Sequence, residues 1–312
     1  MLVLVLARVD IGLLFGTLAQ SNVLLVLLAT LIAFVSWLIN TYKWQVLLNV
    51  PNGRVRYAEL LRLNFVALFY NLVLPGQVGG EVIKGVALAR MGVSKMVAAV
   101  SVVADRVTGL LALFSMGIVG AALSPAVTGD RPELLPWLVV LALAFGVATV
   151  VLVTGHGQAA LLSAGRALRL PVHRIPRAAH TLVEYMSSPT RGLSLLWLPM
   201  VLSLAFQALV VYINLLICIA LGVNIGFVQL MWVVAVVSLL QSLPISIAGI
   251  GVREGAYVYL LQLQGVPEAG ALALSLTIFG IQVLLAATGG LVQLYSQIKA
   301  KDNSLPDERG ER

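Results

Sequence analysis

The chain has 312 residues, 60% of them hydrophobic and only 11% charged, with a net charge of +7. A soluble domain carries about a quarter charged residues, whereas the stretch from Gly192 to Val252 contains no Asp, Glu, Lys or Arg. That excludes an ordinary soluble surface and predicts an all-α polytopic integral membrane protein of about 6–8 membrane segments.

Residues 1–20 form either a short first span or an interfacial helix. Arg8 and Asp10 follow an apolar run too short for a signal peptide. Val23–Leu48 is a span, with Lys43 and Trp44 near its end as an interface anchor. Ser94–Leu123, Pro136–Thr154, Leu193–Leu221 and about Pro267–Gln297 are further spans, and residues 299–312 are a charged, disordered tail.

The bases lie between these runs. Residues 157–190 are a basic segment, read either as a plain cytoplasmic loop or as an amphipathic helix on the anionic leaflet, and Arg54, Arg56, Arg90, Lys95, Lys299 and Lys301 flank other apolar runs. Placing all of these in the cytoplasm satisfies the positive-inside rule and puts the C-terminus there too. The basic charge therefore needs no nucleic acid. His156, His173 and His180 lie in or beside this segment as surface residues.

Two segments are not simple spans. Glu59–Ala89 contains "NLVLPGQVGGEVIKG", and Phe227–Leu263 contains "SLPISIAGIGVREGAYVYLLQLQG". Each carries a Leu-Pro, then glycines, then an acid beside a short apolar helix. The hinge residues are Pro75, Gly76, Gly79 and Gly80 in the first, and Pro244, Gly249 and Gly251 in the second. Glu81 lies eleven residues before Gly92, and Glu254 eleven before Gly265. The Pro-to-acid spacing differs, six residues against ten. With three spans between them, the copies form an inverted repeat of two re-entrant hairpins. Broken backbone at membrane depth needs cover from protein or a water-filled cavity, and transporters use such pairs.

Asp105 and Arg106 lie about a dozen residues into their span, roughly 18 Å along the helix. A charge at that depth costs at least about 2.5–3.5 kcal/mol, so it faces a partner or a cavity. Internal salt bridges with Glu81 and Lys84 are one reading. The other gives Arg106 and Lys84 to an anionic headgroup, with Asp105 and Glu81 holding them. Glu81 and Lys84, three apart, share a helix face near a fresh N-terminus that suits phosphate or the acid itself. Arg253 and Glu254 repeat this chemistry on the outer side. Asn64 and Asn71 share one face, Gln207 and Asn214 repeat their seven-residue spacing, and Gln241 precedes Pro244.

Cys218 is alone, so there is no intrachain disulfide or cysteine-based metal site, and no metal or cofactor motif occurs. The run "NLVLPGQVGGEVIKGVALARMGVSKMVAAVSVVADRVTGL" resembles the signature region of the lysylphosphatidylglycerol synthase transmembrane family, the flippase-like domain proteins. "SLPISIAGIGVREGAYVYLL" is similar to its second signature, and "NTYKWQVLL" also fits. The resemblance covers about residues 8 to 298 and implies one membrane domain over residues 1–298 that handles lipid. In the best known members such a domain moves aminoacylated phosphatidylglycerol between leaflets, and a soluble C-terminal domain makes that lipid. With nothing folded expected after Lys299, that transferase activity is expected to be absent. A translocase for an anionic or zwitterionic phospholipid or a polyprenyl-phosphate lipid is the expectation, with no catalytic residue. A lipid-sugar transferase using Asp105, Glu81 or Glu254 as base and a noncatalytic scaffold are the alternatives. Membrane lipid is the expected partner, and a homo-oligomer is compatible with the sequence.

Overall fold

The computed structural model describes residues 11–48, 55–74, 78–124, 194–242 and 248–302 and the isolated positions 136, 140 and 246. Among the described residues there are no strands. The helices are α1 (Ile11–Ala19), α2 (Val23–Leu48), α3 (Tyr57–Val73), α4 (Val78–Arg90), α5 (Lys95–Leu123), α6 (Ser194–Ala220), α7 (Phe227–Ser242), α8 (Val252–Gln262) and α9 (Glu268–Asp302). The span expected over 136–154, the basic segment 157–190, the start of the first element and the hinge residues Pro75, Gly76 and Pro244 lie outside the described residues.

Val23–Leu48, Val97–Leu123, Trp197–Ala220 and Glu268–Tyr295 are long and apolar enough to cross a membrane. The chain is thus a multi-pass membrane protein. Each glycine-proline segment is two helices, α3 with α4 and α7 with α8, and the members of each pair pack together. The last helix runs to Asp302, past Gln297 and into the charged tail. The stretch Ser296–Asp302 holds no Gly or Pro to stop it.

Local chemistry sets the helix starts. The Asn22 side chain accepts from the N–H groups of Leu24 and Leu25 at 3.1 and 3.3 Å. The Ser94 hydroxyl accepts from Val97 N–H at 3.2 Å. Both satisfy donors that a helix start leaves bare. At the second break Gly249 and Gly251 have φ of 75° and 84°, a left-handed backbone that a side chain resists.

The long helices show lipid on one side and protein on the other. Along α2, Leu24, Leu27, Leu28 and Leu31 are exposed, while Ala29, Ala33, Ser36, Asn40, Lys43 and Leu47 are buried. The buried set steps by four and three, a single stripe. Small residues at its start let α6 approach closely, which drives helix association where lipid removes the hydrophobic drive. The start of α2 meets the end of α6, with Asn22 N–H donating to Ala220 O at 2.9 Å. Farther along, Trp37 meets Phe206 edge-on at 5.8 Å. The two helices are therefore antiparallel.

The remaining packing is reciprocal. α5 packs on α7, and α9 packs on α3. Glycines make both crossings tight. A Cβ at Gly117 would lie 2.8 Å from Ala235 Cβ, and one at Gly290 would lie 3.0 Å from the Phe69 ring.

Candidate functional site

Five charged side chains from three helices form one chain of alternating sign. The Lys43 ammonium on α2 lies 2.9 Å from Asp105 Oδ1 on α5. Lys84 Nζ on α4 lies 3.4 Å from Asp105 Oδ2 and 3.3 Å from Glu81 Oε2. Arg106 Nη2 donates to Glu81 Oε1 at 2.8 Å. The order is Lys43, Asp105, Lys84, Glu81, Arg106. Lys84 also sits over the Trp44 ring, 4.2 Å from its centroid. A ring face attracts a desolvated ammonium.

Local geometry explains the arrangement. Glu81 and Lys84 are one turn apart on α4 and pair along it. Asp105 and Arg106 point about 100° apart on α5, so each takes a different partner. Gly109, one turn beyond Asp105, lies beside Lys43: a Cβ there would sit 3.8 Å from Nζ, an ordinary contact. Lys43 Nζ also donates to the Asp105 carbonyl oxygen at 3.4 Å.

All five side chains line a cavity of about 350 Å³. Uncharged polar side chains also line it: Gln207 and Asn214 on α6, Gln241 on α7 and Gln282 on α9. Asn64 and Asn71 on α3 line it too. Asn64 donates to Thr41 Oγ1 at 2.8 Å, and Gln207 to the Gly109 carbonyl at 3.4 Å. Asn71 Oδ1 accepts from Gly80 N–H at 2.7 Å. The bare helix start expected to suit phosphate is thus partly taken by a side chain from the facing helix. A Cβ at Gly80 would lie 2.4 Å from the Ala67 carbonyl oxygen, so only glycine fits this approach. Gly79 is similarly crowded, with a Cβ 2.6 Å from the Leu74 side chain.

Arg253 and Glu254 are placed differently from Glu81 and Lys84. They lie outside the cavity's described lining, and Arg253 is 0% exposed. Its Nη2 meets Glu254 Oε1 in an ion pair. Nε donates to Ser275 Oγ at 3.3 Å and Nη1 to Gln282 Oε1 at 3.0 Å. Its Cζ lies 4.5 Å from the Phe279 ring centroid. Glu254 accepts from Gly251 N–H and closes the start of α8. Among the described residues, Gln282 links Arg253 to the cavity lining. Tyr257 on α8 acts alike, donating to Asn214 Oδ1 at 2.7 Å.

Lys43 and Trp44 depart from expectation. They are 3% and 0% exposed, so they are inward residues and not an interface anchor. Their signal was present in sequence: Ser36, Asn40 and Lys43 continue one polar stripe at steps of four and three. Among the described residues no group of three or more His, Cys, Asp or Glu could hold a metal ion.

A helical membrane protein with a charged chamber among its spans is the class these features define. The chain belongs to the family described as Lysylphosphatidylglycerol synthase TM region, whose model matches residues 1–290. That family is a membrane domain of lipid-related proteins, so the chain has a lipid-related membrane function. Comparison with curated proteins and with solved structures gives no match.

Proposed function

We propose that this chain is a lipid translocase of the cytoplasmic membrane. It moves an anionic or zwitterionic phospholipid, or a polyprenyl-phosphate lipid, between leaflets and leaves it chemically unchanged. The headgroup crosses through the chamber while the tails stay in lipid. The observation that carries this reading is the five-charge chain lining a cavity bounded by helices from both ends of the sequence. A headgroup crossing hydrocarbon loses its water without replacement; the chamber supplies charges and amides instead. Arg106 is the most accessible of the five, with 36% of its side chain exposed, and is the first contact for phosphate.

The hairpins act as an inverted repeat. Exchanging α2 with α6, α3 with α7, α4 with α8 and α5 with α9 maps the main packing contacts onto one another. A shift of 173 residues aligns Glu81 with Glu254 and Gly92 with Gly265, and it also brings Gly117 onto Gly290. Antiparallel α2 and α6 fit a two-fold axis in the membrane plane. The C-terminus lies in the cytoplasm by the distribution of bases.

The test is leaflet-resolved lipid transport in proteoliposomes, with the lipids then checked by mass spectrometry. A hydrogen bond to a charged group contributes roughly 1.5–3 kcal/mol, so Arg106→Ala slows transport by about tenfold or more. Equal rates for the native protein and this variant remove Arg106 from the path. Altered lipid mass would make the chain an enzyme instead.

A further inference from the structure

Outside the chamber, the outward faces of α4 and α5 carry a pattern that transport through the chamber does not use. On α4, Val82 and Val86 are 57% and 47% exposed, and Arg90 is exposed too. The three step by four, so they form one stripe that turns from apolar to basic at the helix end. On α5, Lys95, Ala99 and Val103 are exposed and also step by four, turning from basic to apolar. The opposite faces are buried. Leu88 on α4 and Ala98 and Val102 on α5 enter one small core with Trp44 and Leu60.

The turn between the helices brings the basic ends of the two stripes to the same end of the bundle. Val93 N–H donates to the Leu88 carbonyl at 3.2 Å, and Gly92 takes a φ of 86°. Such a left-handed closure stops a helix and folds the chain back, and Lys95 follows Arg90 after a short turn. Among the described residues no carboxylate pairs with either base, whereas Arg56, just before α3, faces Glu59 at 3.6 Å. The apolar span of α5 begins at Val97, so Lys95 stands where hydrocarbon gives way to headgroups. An apolar stripe topped by two bases complements a molecule with hydrocarbon chains and an anionic head. Three positions past Val103, α5 carries Arg106, which lines the chamber.

We propose that the outward α4–α5 face binds an anionic phospholipid, with the phosphate at Arg90 and Lys95 and the chains along Val82, Val86, Ala99 and Val103. The site is separate from the chamber, and its occupancy needs no translocation.

The experiment places the photocrosslinker p-benzoylphenylalanine at Val86 in the full chain. The protein is reconstituted in phosphatidylcholine vesicles with a minor share of phosphatidylglycerol, illuminated, and the captured lipid identified by mass spectrometry. Phosphatidylglycerol is captured at least about fivefold above its share. The same probe at Leu24, an exposed position of α2 with no base within two turns, captures both lipids in proportion to the vesicle. Arg90→Gln with Lys95→Gln lowers the Val86 enrichment to that level, while Arg90→Lys with Lys95→Arg keeps it. Proportional capture at Val86 in the native protein, equal enrichment at Leu24, or enrichment that survives the glutamine pair overturns the proposal. Loss of enrichment with glycerol phosphate at the concentration of the lipid reassigns the two bases to soluble phosphates and overturns it as well. Flux is not read, so the outcome is independent of the translocase reading.

Discussion

Asp105 is held by two lysines from different helices, Lys43 on α2 and Lys84 on α4, and all three are buried. Removing one partner of a buried ion pair costs about 3–5 kcal/mol, because the remaining charge loses compensation. Lys43→Met is therefore expected to lower the melting temperature in detergent well below that of the native protein. The double variant Lys43→Met with Asp105→Asn removes both charges, and Lys84 still faces Glu81. It should be more stable than the single variant. If the two losses simply add, Lys43 and Asp105 are not coupled. Arg106 belongs to the other end of the same chain, and on the proposed translocase reading its greater exposure predicts a transport defect more than a folding defect.

At the scale of elements, the breaks matter more than the spans. The first hairpin closes because α4 begins directly against α3, with Asn71 accepting the Gly80 N–H and Ala67 too close for a side chain at Gly80. Forcing an atom into such a contact costs about 1–3 kcal/mol. Gly80→Ala should lower thermal stability in detergent by that order. Gly85, on the same helix, has nothing within 4 Å of an added Cβ. Alanine in a helix interior is favoured over glycine by roughly 0.5–1 kcal/mol, so Gly85→Ala should be neutral or stabilising. Equal effects from the two substitutions would remove the packing account of the hairpin.

For the whole molecule, the proposed inverted repeat predicts sidedness. Arg90 at the end of α4 and Gln262 at the end of α8 are exposed. In an inverted arrangement they lie on opposite sides of the membrane. Gln262→Cys should label with an impermeant maleimide added outside intact cells, and Arg90→Cys only after permeabilisation. The native Cys218 is buried and contributes little background. Labelling of both from one side would make the repeat parallel.

Composition alone determined that this chain lives in a membrane, because a bilayer tolerates few charges and the sequence holds none between Gly192 and Val252. The same scarcity made Glu81, Lys84, Asp105 and Arg106 visible as site candidates, since each stands out against an apolar background. The hairpin breaks were legible from Pro and Gly, whose backbone limits act locally. The polar stripe of Ser36, Asn40 and Lys43 was legible, but what the lysine at its end meets was not. A lysine there can reach toward water or turn inward. For Lys43 the packing of α2 on α5, which sets its ammonium against Asp105, decided it. Arg253 looked from sequence like the partner of Lys84 in function. The packing of α8 on α9 gave it Glu254, Ser275 and Gln282 and set it behind the cavity wall. A local pattern records which residues are charged; only the tertiary crossings settle which charges face each other and which face the chamber.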